Sequence, residues 1–260
     1  MKSLVLTLMM AAALFAQAVP RAEYPQPQFE REQWMTLNGP WEFEFDDANA
    51  GLNQKWQEGA KAFTKKITVP YAFESKLSGI GDTTFHPWVW YRRAVTLPQG
   101  WSGKRVLLQF GAVDYQAMVW VNGAYLGSHE GGNVPFRFDI TPHLKAGANV
   151  ITVRAEDVPT DEFLPRGKQY WLPKSRGIFY TRTSGIWQPV WLETVGDNHL
   201  ASVRITAGME GTAKFDARLA RNEAGLELRA VVEGTTVSTA TTAEPVQGLA
   251  YTDPTPRLWS

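Results

Sequence analysis

Side chains suited to recognising a polyhydroxylated ligand are concentrated in two segments of the chain. Carboxylates and amides exchange hydrogen bonds with hydroxyl groups, cations donate to them, and aromatic rings stack on the apolar face of a sugar ring. The first segment, Gly79 to Trp90, contains Asp82 and His86. The second segment runs from Asp157 to Ile178 and contains Asp157, Arg166, Lys168, Gln169 and Trp171. It is far longer than an ordinary hairpin loop of about two to five residues, and loops of such length are usually functional or disordered.

The remaining composition excludes several kinds of chemistry. The sequence contains no cysteine, so a disulfide framework, a thiolate zinc site and a thiol nucleophile are impossible. Its four histidines are scattered without the spacing of metal ligands, and we expect neither a metal nor another cofactor. Lysine plus arginine balance aspartate plus glutamate at 26 each, which gives no reason to expect nucleic acid or an anionic membrane as partner.

Four other conspicuous residues are expected to be structural. Glu130 follows a predicted strand, and no second carboxylate accompanies it as an acid–base pair would require. Asp114 is expected to form hydrogen bonds within a turn. Trp120 and Trp187 lie in predicted strands and are expected in the core. None of the four is therefore included among the candidate binding residues.

The elements that must position these residues are predicted to be antiparallel strands. Aromatic and acidic residues alternate from Trp41 to Phe45, which is the period of a half-buried strand. The strands on either side of Asn122-Gly123 predict a hairpin, because both central residues of a type I′ turn need positive φ. Many short strands separated by Gly, Pro and Asn indicate an all-β sandwich. The only helical candidate, from Asn49 to Gly59, is short.

The first residues are typical of an export signal. Lys2 precedes an apolar run from Leu4 to Phe15 that is too short to cross a bilayer, and Ala16 to Ala18 form a cleavage site. We expect cleavage after Ala18 and a secreted or periplasmic protein without a membrane-spanning segment. An uncleaved anchor is the alternative. Residues 19–33 are predicted to form an extended arm, because they are polar and rich in proline.

The composition changes after Gly196-Asp197-Asn198, where aromatic residues become rare. Residues 199–260 predict a second, smaller sandwich of short strands. An immunoglobulin-type domain needs about 100 residues, so this domain is expected to be truncated.

Five motifs follow one another along the chain: Leu37–Phe43, Val69–Ser75, Trp90–Arg93, Phe110–Thr141 and Ser184–Glu193. In this order they resemble the motifs of family 2 glycoside hydrolases, which include β-galactosidases, β-glucuronidases and β-mannosidases. Residues 34–195 are thereby predicted to be a galactose-binding-like jelly-roll domain, and residues 199–260 an incomplete immunoglobulin-like domain. The final Leu258-Trp259-Ser260 is similar to a signature near the end of that second domain.

The resemblance implies retaining hydrolysis of a terminal β-glycoside by two carboxylates about 5 Å apart. In the family these are glutamates of a (β/α)₈ barrel of about 250 residues, which is missing from this chain. The chain is therefore predicted to be the non-catalytic N-terminal portion of a secreted exo-acting β-glycosidase, with a carbohydrate and the catalytic barrel as its partners. A free-standing carbohydrate-binding module is the alternative, and a structural or adhesion sandwich without a sugar site is a third.

The resemblance also gives the two segments a second interpretation. In the resembling enzymes, loops of the first domain reach towards the active site of the barrel. Arg166, Lys168 and Gln169 are equally consistent with sugar contact and with packing against that barrel. Trp171 favours a sugar contact, whereas Asp82 and His86 fit an ordinary surface loop better than a sugar contact.

Overall fold

A computed structural model of the chain describes residues 18–221, 223–232, 235–241 and 246–255. The export segment except Ala18, and the final Leu258-Trp259-Ser260, lie outside these residues. Within the described part, no helix is both long enough and apolar enough to span a membrane. In place of the predicted helix at Asn49 to Gly59 there are turns and a 3₁₀ helix at Trp56–Glu58. The other 3₁₀ helices are Pro27–Phe29, Lys76–Ser78 and Thr141–His143.

All extended sheets of the described chain are antiparallel, which confirms the predicted all-β class. The strands in chain order are β1 Trp34–Thr36, β2 Gly39–Phe45, β3 Lys65–Val69, β4 Trp88–Thr96, β5 Arg105–Phe110, β6 Val113–Asp114, β7 Gln116–Val121, β8 Ala124–Glu130, β9 Phe136–Asp139, β10 Ala148–Glu156, β11 Gly185–Ile186, β12 Val190–Val195, β13 Leu200–Ala207, β14 Thr212–Leu219, β15 Glu227–Val232, β16 Thr235–Thr241 and β17 Val246–Thr252.

Two sheets form the sandwich that precedes residue 196. One has the strand order β3-β2-β4-β10-β7-β8, and the other has the order β1-β12-β5-β9. Their inner faces share one core, in which Phe43 and Tyr91 of the first sheet meet Leu108 and Leu192 of the second. The Phe43 and Tyr91 rings pack edge to face with centroids 5.0 Å apart. Truncating a buried aromatic such as Phe43 costs about 3–5 kcal/mol, so this core is the main source of stability.

The predicted hairpin is confirmed between β7 and β8. Asn122 and Gly123 both have positive φ, at 52° and 82°. The Asn122 amide nitrogen also donates to the His143 carbonyl oxygen and the Asn149 side-chain oxygen, at 2.8 Å each. The turn is therefore fixed both by its own geometry and by the neighbouring strand.

The arm before β1 is bonded to a buried carboxylate of the four-stranded sheet. Glu193 is only 1% exposed. Its oxygens accept from the Tyr24 hydroxyl at 2.9 Å, from the Gln109 amide at 2.9 Å and from the Trp191 indole at 3.1 Å. The Arg31 Nε lies 3.5 Å from the same carboxylate. Two arm residues thus complete the partners of a buried charge.

Beyond residue 196 the sheets are smaller. A three-stranded sheet has the order β13-β14-β17, and β15 pairs with β16. Only Ala217, Ala230 and Leu249 are buried hydrophobic residues among the described positions of this region. The Arg31 and Arg137 guanidinium groups donate to the first residues of β13, at the carbonyl oxygens of Leu200 and Ala201.

Candidate functional site

Four consecutive residues, Arg182 to Gly185, connect the two candidate segments, and we call them the tether. Arg182 is only 3% exposed. It donates to the Thr83 carbonyl oxygen of the first segment at 2.6 Å and to the Leu172 carbonyl oxygen of the second at 3.2 Å. Its guanidinium carbon also lies 4.4 Å from the centroid of the Phe85 ring. The planar fork of an arginine suits such simultaneous contacts.

The next tether residue fixes Gln169. The Thr183 amide donates to the Gln169 side-chain oxygen at 2.7 Å, and the Gln169 side-chain nitrogen donates to an Asp114 oxygen at 2.6 Å. Because both ends of the amide are bonded, the orientation of Gln169 is defined. Gly185 then pairs with Asp114 across the short β6–β11 ladder.

Asp114 is a buried carboxyl group rather than an exposed turn residue. It is 6% exposed and lies so close to Gly132 that a Cβ there would overlap its carboxyl group. Burial raises the pKa of Asp114 to about 6, although its hydrogen bond from Gln169 opposes that shift. Asp114 therefore orients Gln169 from beneath the surface, a role that turn chemistry did not predict.

Two further carboxyl groups meet the third tether residue. The Ser184 hydroxyl donates to Asp157 at 2.6 Å, and the Ser184 amide donates to Glu74 at 3.2 Å. Asp157 is 9% exposed and Glu74 is 7% exposed. Burial raises the pKa of both carboxyl groups, in Glu74 to about 7. Asp157, predicted to contact a sugar, is instead bonded inside the protein.

A cleft of about 330 Å³ opens above Asp114 and Gln169. This volume is near the lower end of small-molecule sites, which span about 300–1,000 Å³. A larger cleft of about 600 Å³ around Trp101 and Leu144 contains neither candidate segment. The residues that line the smaller cleft are Asp114, Asn133, Arg166, Gly167, Lys168, Gln169, Tyr180, Thr183 and Trp187.

The cleft combines two aromatic side chains with polar groups. Trp187 is held by a 2.7 Å hydrogen bond from its indole nitrogen to the Gly132 carbonyl oxygen, and it lines the cleft instead of lying in the core as predicted. Tyr180 is 64% exposed, and its backbone amide donates to the Lys168 carbonyl oxygen at 2.8 Å. Within the described residues, neither the Lys168 ammonium nor the Asn133 amide has a hydrogen-bond or ionic partner.

Arg166 contributes to the cleft wall but is already bonded to its own segment. It donates to the Pro159 carbonyl oxygen at 2.6 Å and contacts the Asp161 carbonyl oxygen. The three predicted residues that line the cleft differ in what they can offer a ligand. Lys168 has a charged group that a ligand could contact, whereas Gln169 is held by two hydrogen bonds and Arg166 is bonded within its own loop.

Asp82 and His86 form a separate cluster. The His86 ring stacks on Phe45 with centroids 3.6 Å apart, and its nitrogens lie 2.8 Å from Asp47 and 3.3 Å from Asp82. Asp82 accepts from the Thr84 hydroxyl and amide, which are the main causes of its lowered pKa. These side chains bond to one another and do not line the cleft.

Trp171 also lies outside the cleft lining. Its ring packs edge to face against Tyr170 and Phe179, with centroids 4.9 Å and 5.1 Å away. The structure therefore brings together Arg166, Lys168 and Gln169, but not Asp157, Trp171, Asp82 or His86. It adds residues that sequence reasoning missed, namely Asp114, Asn133, Tyr180, Thr183 and Trp187. Among the described residues, no group of histidine and acidic side chains is arranged to hold a metal ion.

A cleft with polar and aromatic residues in its lining is typical of a small-molecule binding domain, and here it lies among the loops of an antiparallel sandwich. Residues 34–192 match the family model described as "Glycosyl hydrolases family 2, sugar binding domain". The chain belongs to glycosyl hydrolase family 2, and these residues form its sugar-binding domain.

Known members of the family share this part of the chain. It is 30% identical over 210 residues to a β-glucuronidase of Canis lupus familiaris, covering 72% of this chain and 32% of that one. It is 33% identical over 152 residues to a β-glucuronidase of Paenibacillus borealis, covering 56% and 24%. The solved structure of an uncultured Clostridium sp. β-glucuronidase superposes with a TM-score of 0.66 at 25% identity, covering 87% and 41%. The chain thus spans at most about a third of these curated relatives.

Proposed function

We propose that this chain is the non-catalytic, sugar-binding N-terminal portion of a secreted exo-acting β-glycosidase. The hydrolysis of O-glycosyl bonds would belong to a (β/α)₈ barrel, which is the partner that the resemblance implies. Family membership and the fraction of each relative that the chain spans support this arrangement. The proposed domains are residues 34–195 for the sugar-binding jelly roll and residues 199–260 for the immunoglobulin-like domain. The apolar run and the Ala18 cleavage site support export to the periplasm or medium.

The observation that carries the sugar-binding proposal is the cleft around Gln169. Its amide is fixed at both ends, Trp187 and Tyr180 line the cleft, and Asn133 and Lys168 have side-chain donors without a partner among the described residues. The relatives named β-glucuronidase, and one named β-galactosidase, suggest the sugars to test first. The free ammonium of Lys168 favours a sugar that carries a carboxylate, because charge-assisted hydrogen bonds are stronger than neutral ones.

A fluorescence titration of the purified chain tests binding in this cleft. Methyl β-D-glucuronide and methyl β-D-galactoside are added separately, and the change in tryptophan emission, with Trp187 in the cleft wall, reports binding. We expect saturable binding, stronger for the glucuronide. Lys168→Gln should weaken glucuronide binding about fivefold, the upper range for a solvent-exposed charge pair, and leave galactoside binding unchanged.

Lys174→Gln is the matched control for this titration. Lys174 lies in the same segment, is exposed and does not line the cleft. It should bind both sugars as the unaltered chain does. Absence of saturable binding by either sugar would contradict a sugar site in this cleft.

The wider proposal is tested by the mass and location of the natural product. An antibody raised to residues 34–195 is used on the medium, periplasm and cell fractions of the source organism. We expect an exported band larger than the present chain by at least a barrel of about 250 residues. An exported band of the size of this chain without its signal would instead favour a free-standing carbohydrate-binding module. A band confined to the cytoplasm would contradict export.

A further inference from the structure

Glu74 is a buried acid that no hydrogen bond or ion pair fully satisfies. Its carboxyl group is 7% exposed, and one oxygen accepts from the Ser184 amide at 3.2 Å. The other oxygen is buried without a hydrogen-bond partner among the described residues. A buried carboxylate in this state is costly, whereas the neutral acid is much cheaper to bury.

The charged groups around Glu74 do not form an ion pair with it. Arg182 and Tyr91 are the titratable groups that interact electrostatically with it. Asp157 bonds to the same serine, and Asp114 pairs with the next tether residue, Gly185. None of the ion pairs within the described chain involves Glu74 or Asp157. Arg182 is nearby, but its donors are directed to the carbonyl oxygens of Thr83, Tyr170 and Leu172. Both buried carboxyl groups therefore accept a hydrogen bond from Ser184, and neither forms an ion pair within the described residues.

Ser184 links Glu74 to the cleft. Its hydroxyl bonds to Asp157 at the base of the long segment, and the preceding residue, Thr183, holds Gln169 in the cleft wall. The following residue, Gly185, pairs with Asp114, which holds the other end of the same amide. A displacement of Ser184 would therefore release Gln169 from both sides.

We propose that Glu74 is a pH-sensitive positioning residue, whose neutral form keeps the tether docked and the sugar cleft assembled and whose ionised form loosens both. This inference rests on the proposed sugar site and adds its regulation. Glu74 contacts no ligand in this scheme and acts only through Ser184 and its two neighbours.

The direction follows from proton linkage. Burial raises the pKa of Glu74 from 4.5 to about 7 in the docked state. Below about 4.5 the docked and loosened forms are both protonated, so docking does not change with pH. Between about 4.5 and 7 the loosened form loses its proton first, and loosening therefore becomes easier as the pH rises. Above about pH 7 both forms are ionised, and protonation of Glu74 no longer stabilises the docked form.

Hydrogen–deuterium exchange of the purified chain tests the proposal without any sugar. Protection of the peptide that contains the tether is measured from pH 5 to pH 8.5, corrected for the intrinsic pH dependence of exchange. We expect protection to fall by up to about a hundredfold between pH 5 and about pH 7 and to level off above that pH, because each pH unit between the two pKa values changes the equilibrium up to tenfold. In Glu74→Gln, which resembles the neutral acid, protection should stay high throughout this range.

Glu44→Gln is the control. Glu44 is also buried, at 8% exposed, but it accepts from the Thr64 amide and hydroxyl on another part of the sandwich. This variant should keep the pH profile of the unaltered chain. A fall in protection that persists in Glu74→Gln would assign the titration to Asp114 or Asp157 and overturn the proposal. Circular dichroism checks that Glu74→Gln is folded. If it is not, the test rests on the unaltered chain, and tether protection that stays constant from pH 5 to 8.5 overturns the proposal.

Sugar affinity measured over the same pH range separates this proposal from the proposed function. Weaker binding at high pH in the unaltered chain, abolished by Glu74→Gln, supports both. A tether that loosens in a chain that binds no sugar at any pH would contradict the sugar site and thereby its regulation, while leaving the titration of Glu74 established. Sugar binding with a tether that is insensitive to pH would contradict the regulation alone.

Discussion

The two candidate segments contain similar residue types but use them differently. In the first, Asp82, Thr84 and His86 bond to one another and to Asp47, which lies outside the segment. In the second, Gln169 is oriented by its neighbours, and Lys168, which has no partner among the described residues, lies beside the rings of Tyr180 and Trp187. The first cluster therefore stabilises the edge of the core above Phe45, and the second presents groups to a ligand.

This difference shows that residue type alone does not define a binding site. A polar side chain can recognise a ligand only if it still has an unused donor or acceptor at a surface that the ligand can reach. Fixed supporting residues beneath it then reduce the entropy lost on binding. The following variants test whether the two segments differ in this way.

The largest effect is expected from Arg182→Ala, which removes the residue that joins the segments. Four carbonyl oxygens lose a buried charged donor, and Glu74 and Asp157 lose a nearby cation. We expect the free energy of unfolding to fall by about 3 kcal/mol, the upper range for removing a hydrogen bond that involves a charged group. Urea denaturation measures the change. Arg176→Ala, an exposed position in the same loop, should stay within about 0.5 kcal/mol of the unaltered chain. Equal losses in both variants would mean that the hydrogen bonds of Arg182 to the two segments do not stabilise the fold.

A smaller effect is expected from Trp187→Ala, and it should appear in binding. Removal of a ring that is fixed at the cleft should weaken sugar binding about tenfold, since an aromatic contact contributes roughly 0.5–1.5 kcal/mol beyond its buried area. Trp171→Ala, in the second segment but outside the cleft lining, is the comparison. Isothermal titration of both variants with the better-bound glycoside distinguishes them. Weaker binding in Trp171→Ala alone would restore the original prediction for Trp171 and move the site.

The smallest effect is expected from His86→Ala, and it should appear only in stability. The ring loses its stacking on Phe45 and hydrogen bonds to exposed carboxylates, which together contribute about 1 kcal/mol. Thermal denaturation measures this loss. Sugar affinity should be unchanged, because His86 does not line the cleft. A clear loss of affinity in a stable His86→Ala chain would place the first segment in the site after all.

The fold was largely predictable because its signals are local. Alternation from Trp41 to Phe45 and the Asn122-Gly123 turn each depend on a few neighbouring residues, and both predictions are confirmed. The family resemblance over residues 34–195 is confirmed by the match to residues 34–192.

The site was only partly predictable because it depends on contacts between distant residues. Arg166, Lys168 and Gln169 were found together, since they are neighbours on one loop. Asp114 bonds to a residue 55 positions later, and Trp187 bonds to one 55 positions earlier. No periodicity in the sequence reports such pairings. Glu74 belongs to a motif that was quoted, yet its burial against Ser184, 110 positions away, becomes visible only in the folded chain.

The arm that reaches Glu193 has a consequence for where the folding unit begins. The matched family region starts at residue 34, whereas Tyr24 and Arg31 lie before that point. A chain that begins at residue 34 would retain every strand of the sandwich but would leave the buried Glu193 without its hydrogen bond from Tyr24 and without the nearby Arg31. The region that matches the family is therefore shorter than the region that supplies all partners of Glu193. A fragment chosen by sequence similarity alone would begin too late to include the arm residues that bond to this buried carboxylate.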